Sequence, residues 1–207
     1  MSLEKFFSPK SVAVVGASQQ KGKVGYEILT NLIRSEFPGE IYPVNHKADE
    51  IEGLKCYPDI PSIDAVPELV IIIVPAKVVP NIMEQCAKAG VENVIIITAG
   101  FKEVGEEGKK LEKQVAAIAR RGNVRFIGPN CLGVISTYDK LNASFGGDLP
   151  VEGGTCYISQ SGALLAAILD MANAQGIGFS KLISIGNKAD VNELDKIGRA
   201  SCRERVC

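Results

Sequence analysis

Short apolar runs alternate along this chain with segments of helical period. Ser11–Val15 (SVAVV) is apolar and ends at a glycine, which predicts a buried strand. Residues 25–34 (GYEILTNLIR) place Ile28, Leu29, Leu32 and Ile33 at helical spacing. Glu40–Val44 (EIYPV) reads as a second strand. Residues 69–74 (LVIIIV) and 93–98 (NVIIIT) are apolar almost throughout, as parallel strands covered on both faces require. Between them, residues 80–89 form a helical segment with Pro80 at its start. Glu106–Arg121 is a charged amphipathic helix, and Arg125–Ile127 a short closing strand. Regular alternation of strand and helix predicts a doubly wound α/β sheet with right-handed crossovers. Ligands of such sheets sit at the carboxyl ends of the strands, here at Gly16, Asn45, Pro75 and Ala99.

The pattern changes at residues 128–133 (GPNCLG), and a Gly- and Pro-rich stretch read as loop runs to Gly154. A strand at 155–159, a helix at 162–175 and a strand at 179–184 then form a βαβ unit. One such unit cannot bury its own faces, so a second α/β domain is expected to begin here and to stop unfinished. The expected division is 1–127 for the first domain, 128–196 for the incomplete second, and 197–207 for a tail. Asp190 or Asn192 is a plausible cap for a further helix. The tail itself is basic, carries cysteines and lacks apolar periodicity. Residues 197–206 (IGRASCRERV) resemble a translated sequencing adapter, so the tail is expected to be non-native. Source DNA encoding these ten residues contiguously would overturn that expectation.

Charge narrows the partners. The chain has 23 basic and 24 acidic residues, a balance without a footprint for nucleic acid or an anionic membrane surface. No apolar run reaches the roughly 18–20 residues that span a bilayer, and the N-terminus (MSLEKFFSPKS) lacks a signal-peptide core. A soluble cytoplasmic protein is expected. Six cysteines occur without a CxxC pair, which reads as reduced thiols and predicts no metal site. The single histidine, His46, argues against a His-based metal site or a Ser-His-Asp triad.

Candidate chemistry begins after the first strand. Gly16 ends that strand, and Gly22 and Gly25 open the following helix, flanked by Lys21 and Lys23. Glycines let backbone N–H groups approach a phosphate at a helix start, although the spacing is not the dinucleotide GxGxxG. A tight turn without a ligand would use the same glycines. The end of the second strand sharpens the choice. An NAD site wants Asp or Glu there for the ribose hydroxyl, and this chain offers Asn45, His46 and Lys47. A lysine favours a ribose phosphate, which NADP and coenzyme A both carry. Small residues at Ala76, Ala99 and Gly100 leave room at the strand ends.

The second candidate is residues 158–170 (ISQSGALLAAILD), with Ser161 and Gly162 between a strand and an apolar helix. The match to the nucleophile elbow GxSxG fails and no histidine lies nearby. A phosphate-binding helix start and a plain serine N-cap both remain open.

Taken in order, VAVVGAS, GKVGYEIL, IYPVNHK, IIIVPA, IIITAGF, IGPNCLGV, YISQSGALLAAILD and ISIGNKADV resemble the ADP-forming acetate–CoA ligases. More distantly they are similar to the α subunit of succinyl-CoA synthetase. The resemblance runs from Lys5 to about Asp195. It implies a Rossmann-like doubly wound CoA-binding domain followed by a truncated flavodoxin-like α/β domain. It places the CoA loop on Gly16, Ala17, Ser18, Lys21 and Gly22. Lys47 falls on the basic CoA contact, where the family usually has NPK and this chain NHK. Val74, Pro75 and Ala76, and Ile97, Thr98 and Ala99, fall on turns that line CoA. Asn130 and Cys131 fall close to the thioester chemistry. Ser161, Gly162 and Ala163 match the start of a helix that steadies a phosphohistidine.

The reaction so implied interconverts acyl-CoA, ADP and phosphate with acid, CoA and ATP through that phosphohistidine. The departure is that the only histidine, His46, lies in the CoA region. The resemblance therefore implies a CoA-binding fragment that does not turn over alone. Its partners would be CoA, a small carboxylic acid or acyl-CoA, and an ATP-grasp β subunit or fused C-terminal domain holding ATP or ADP with Mg. Some acetyltransferases carry similar architecture, which leaves a CoA-sensing regulatory module as the alternative. An NADP-dependent oxidoreductase is disfavoured by the glycine spacing and by the second domain.

Overall fold

The structure is a computed structural model that describes residues 3–192 and Asp195. The tail at 197–207 lies outside the described residues, as does the body of the helix expected after Asn192. The chain runs β1 (Ser11–Val15), α1 (Val24–Arg34), β2 (Glu40–Val44), β3 (Glu50–Ile51), β4 (Leu54–Lys55), β5 (Leu69–Ile72), α2 (Val79–Ala89), β6 (Asn93–Ile96), α3 (Glu106–Arg121) and β7 (Arg125–Ile127). It continues through β8 (Gly133–Ser136), β9 (Leu141–Ser144), β10 (Glu152–Ser159), α4 (Gly162–Gln175) and β11 (Phe179–Ser184).

The first sheet has the order β2-β1-β5-β6-β7, with every neighbour parallel. The chain therefore reverses its winding direction beside β1, and β1 and β5 flank the topological switch point. Strand side chains alternate between the two faces. Val12, Val14, Leu69, Ile71, Ile95 and Ile97 enter one buried cluster. Ala13, Val15, Val70, Ile72, Val94 and Ile96 enter the other, against Val79 and Met83 of α2 and Val115 and Ile118 of α3. This two-sided burial explains the uniformly apolar runs.

The β1 face is covered in an unequal way. Helix α1 supplies Ile28, Leu29 and Leu32, and the second sheet supplies Val134, Leu141, Ala143 and Ile183 to the same cluster. Asn31 of α1 is buried and donates from Nδ2 to the carbonyls of Ser144 and Gly146, both at 2.9 Å. The second sheet thus does the work of a covering layer for the first.

That second sheet has the order β10-β11-β8-β9, with β10 and β11 parallel and the other pairs antiparallel. Two expectations need correction here. The stretch to Gly154 is not all loop, because β8 and β9 lie within it. The βαβ unit is also not alone, because that hairpin extends its sheet. Polar residues disguised the hairpin. Ser136, Asn142 and Ser144 are buried, yet each side chain is satisfied locally: Ser136 Oγ donates to Asp139 at 2.6 Å, and Ser144 Oγ to Asn142 Oδ1 at 2.7 Å. Two strands also end early, at Ile72 and Ile96 instead of 74 and 98. Thr98 Oγ1 lies across the gap and donates to Val74 O at 2.8 Å, so both strand ends peel away together.

Candidate functional site

At the carboxyl ends of β5 and β6, a cavity of about 880 Å³ opens. From the first sheet it takes Val74, Pro75, Ile97, Thr98 and Ala99. From the segment after β7 it takes Asn130 and Cys131, and from the start of α4 it takes Ser161, Gly162 and Ala163. Residues from four separate stretches of the sequence, each nominated there, therefore meet on one surface. Ala76 does not line the cavity and begins a short 3-10 turn instead.

The loop after β1 lies beside this cavity, which is lined by Val24 at the start of α1. Gly16 has φ +97°, and a Cβ there would stand 2.6 Å from the carbonyl of Ile73. The ends of β1 and β5 can approach this closely only because Gly16 has no side chain. Gly25 plays a second role, since a Cβ there would stand 2.0 Å from Gly16 O. Ala17 is buried, and its carbonyl accepts from Asn45 Nδ2 at 2.8 Å. Ser18 Oγ accepts from the Gln20 N–H at 3.0 Å. Lys21, Gly22 and Lys47 are exposed and do not line the cavity. The Gly22 N–H is engaged, at 3.2 Å, by the Glu27 carboxylate. An anionic group of the protein itself thus sits where the loop offers an amide.

Asn130 has φ +58°, in the left-handed region that asparagine tolerates best among residues with a side chain. Its N–H donates to Thr98 O at 3.0 Å, which ties this segment to the β6 end. Cys131 is buried, and its thiol donates to Ile96 O at 3.3 Å. Burial pushes that thiol up to about 12, so it is neutral at pH 7 and unsuited to act as a nucleophile. Cys131 offers the cavity a wall.

Ser161 caps α4, with Oγ accepting from the Leu164 N–H at 3.2 Å. The N–H groups of Gly162 and Ala163 have no acceptor within the helix, and both residues line the cavity. Capping and anion binding are compatible here, because the serine side chain serves a different amide. His46 is exposed on the loop after β2 and does not line the cavity.

Sequence reasoning missed Val24, Ile73, Leu132, Phe145, Gln160 and Ala166, which also line the cavity. Leu132 and Gln160 lie inside motifs already singled out, so a wider reading of those motifs would have found them. Phe145 follows the overlooked hairpin and carries no local signal. Among the described residues, no cluster of three or more His, Cys, Asp and Glu is arranged to hold a metal, and no helix is long and apolar enough to cross a membrane.

A cavity at the carboxyl ends of a parallel sheet, beside its switch point and closed from one side by a second α/β sheet, defines a doubly wound ligand-binding α/β protein. Residues 10–137 match the family model of the CoA binding domain, and the chain belongs to that family. Residues 152–206 match the succinyl-CoA ligase like flavodoxin domain. The chain is 53% identical to an ADP-forming acetate–CoA ligase of Methanocaldococcus jannaschii, over 90% of this chain and 26% of that protein. It is 47% identical to the α subunit of ADP-forming acetate–CoA ligase I of Pyrococcus furiosus, over 94% of this chain and 43% of that subunit. Among solved structures it resembles a dinucleotide forming acetyl-coenzyme A synthetase 1 of Ca. Korarchaeum cryptofilum in complex with phosphate and ADP. The TM-score there is 0.92 at 40% identity, covering 96% of this chain and 42% of that one. The chain thus spans between about a quarter and under half the length of these relatives.

Proposed function

We propose that this chain binds coenzyme A and forms the CoA-binding part of an ADP-forming acyl-CoA synthetase. The supporting observation is the cavity, which gathers the β5 and β6 strand ends, Asn130, Cys131 and the α4 start around one space. Its residues fit a long, thin ligand. Ile73, Val74, Ile97, Leu132 and Phe145 suit an apolar stem, and Thr98, Asn130 and Gln160 can meet amides along it. Gly16, Ala17, Ser18, Lys21 and Gly22 would hold the pyrophosphate, with Lys47 at the ribose phosphate. Val74, Pro75 and Ala76, with Ile97, Thr98 and Ala99, would flank the pantetheine. Asn130 would orient the acyl end beside the neutral wall of Cys131. The amides at Ser161, Gly162 and Ala163 suit an anionic phosphate or acyl phosphate.

The parent enzyme would join a small carboxylic acid to CoA at the expense of ATP. A phosphate-carrying histidine would come from another part of that enzyme, since His46 does not line the cavity. ATP or ADP with Mg would sit on an ATP-grasp β subunit or fused domain. A boundary after Ile127 is supported by the change of sheet between β7 and β8, with 128–196 opening the succinyl-CoA-ligase-like domain and 197–207 a non-native tail. Calorimetric titration of the chain with CoA, dephospho-CoA and NADPH tests the reading. CoA should bind, dephospho-CoA should bind more weakly for want of the Lys47 contact, and NADPH should give no heat. Silence toward CoA would overturn it.

A further inference from the structure

One polar cluster joins the two sheets behind the cavity. Asn187 follows β11, just after Gly186, and is only 7% exposed. Its Nδ2 donates to Glu103 Oε2 at 2.7 Å and to Glu112 Oε2 at 2.8 Å. Its Oδ1 accepts from Asn130 Nδ2 at 3.4 Å. The main chain joins in: the Asn187 N–H donates to Pro129 O at 2.8 Å, and its carbonyl accepts from Lys102 Nζ. Lys102 in turn lies 3.7 Å from the Glu112 carboxylate. Both amide protons of one side chain are thus spent on two carboxylates of the other sheet's layer.

Glu103 carries the connection onward. Its Oε1 accepts from the Gly100 N–H at 2.6 Å and the Phe101 N–H at 3.1 Å. Those two bonds hold the turn immediately after Ala99, where Gly100 takes φ +106°. Ile97, Thr98 and Ala99, which lead into that turn, line the cavity, as does Asn130. Burial pushes the Glu103 carboxyl up, but bonds from Asn187, Gly100 and Phe101 outweigh it and leave it below its ordinary value. It therefore stays an acceptor at neutral pH.

We propose that Asn187 is a positioning residue through which the second sheet sets the shape of the cavity. It fixes Asn130 directly and the turn at Ala99 and Gly100 through Glu103. The chemistry demands this amide. Aspartate would bring three carboxylates together, and an apolar side chain would take the amide donor from Glu103 Oε2 and Glu112 Oε2. The effect on ligand affinity rests on reading the cavity as the CoA site. The effect on the turn does not.

The test uses the full chain and two readouts. The first is amide exchange at Gly100 and Phe101 in the ligand-free protein. The second is the dissociation constant for CoA itself. Asn187→Ala should speed exchange at those two amides about tenfold while leaving β1 and β5 unchanged, and should weaken CoA about tenfold. Glu103→Ala should do the same. The double variant should exchange at Gly100 and Phe101 no faster than either single, because the two residues act in series on that turn. A merely structural role would instead give additive losses and raise exchange throughout. Unchanged exchange at Gly100 and Phe101 overturns the proposal, and so does altered exchange with unaltered CoA affinity. If Asn187→Ala does not fold, Asn187→Leu carries the same test, since it keeps the bulk of the side chain and removes both donors to the carboxylates. If the unaltered chain binds no CoA, the functional reading fails, and exchange alone decides whether Asn187 holds the turn.

Discussion

Two helices start at the cavity, and they start in opposite ways. Helix α1 begins after Lys23, has no side-chain cap, and is approached by a loop of glycines and lysines. Helix α4 begins after Ser161, whose hydroxyl accepts from the third residue on. The first start is tied by no side chain, and the loop before it lends the Gly22 N–H to Glu27. The second is locked by its own cap, so the amides of Gly162 and Ala163 keep their direction whether or not a ligand is present. An open start suits a charged group that arrives with a diffusing ligand. A capped start suits a reacting group that must be met in one fixed geometry.

The contrast can be broken most severely at Gly25. Alanine there would drive its Cβ into Gly16 O, so α1 must shift away from β1. Overpacking of this kind costs about 1–3 kcal/mol, which urea denaturation would show as a lower midpoint, with CoA affinity falling more than tenfold. A smaller effect should separate the two caps. Ser161→Ala should lower stability by about 1 kcal/mol. Lys23→Ala should leave stability within about 0.5 kcal/mol, because no cap bond is lost, yet weaken CoA in a salt-dependent manner. Equal losses of stability at the two positions would erase the distinction. The smallest change is expected from Glu27→Gln. It keeps an acceptor for the Gly22 N–H and removes the competing charge, so CoA should bind about threefold more tightly at low salt, as a helix-start charge is worth roughly 0.3–1 kcal/mol. Weaker binding would mean that Glu27 supports the loop instead of competing for it.

Much of the first sheet was legible because Val70, Ile71 and Ile72 must face cores on both sides, and an unbroken apolar run has few other uses. The second sheet was half legible. Its βαβ unit was visible, but Ser136, Asn142 and Ser144 bury polar atoms that read as loop chemistry until their partners are known. The β3–β4 hairpin escaped for a related reason. Its turn, Glu52 and Gly53, takes positive φ at both residues, yet lacks the usual Asn-Gly or Asp-Gly signature. At the site, local motifs marked most of the cavity wall. Asn187 and Glu103 stand 84 residues apart, and no spacing rule connects them. Long-range polar pairs are written in the fold and not in any window of the sequence.

The apolar cluster that runs from Val12 through Ile127 to Ile183 belongs to both sheets at once. A cluster continuous across the seam opposes hinge opening between the two described sheets. Separating the sheets would bring several such side chains into water at about 1.5–3 kcal/mol each. Entry to the cavity therefore falls to its rim, where Val24 and Phe145 are 36% and 39% exposed. Rotation of exposed side chains takes picoseconds to nanoseconds, whereas domain opening takes microseconds or longer. On that scale a ligand would thread past a soft lip without waiting for the walls to part.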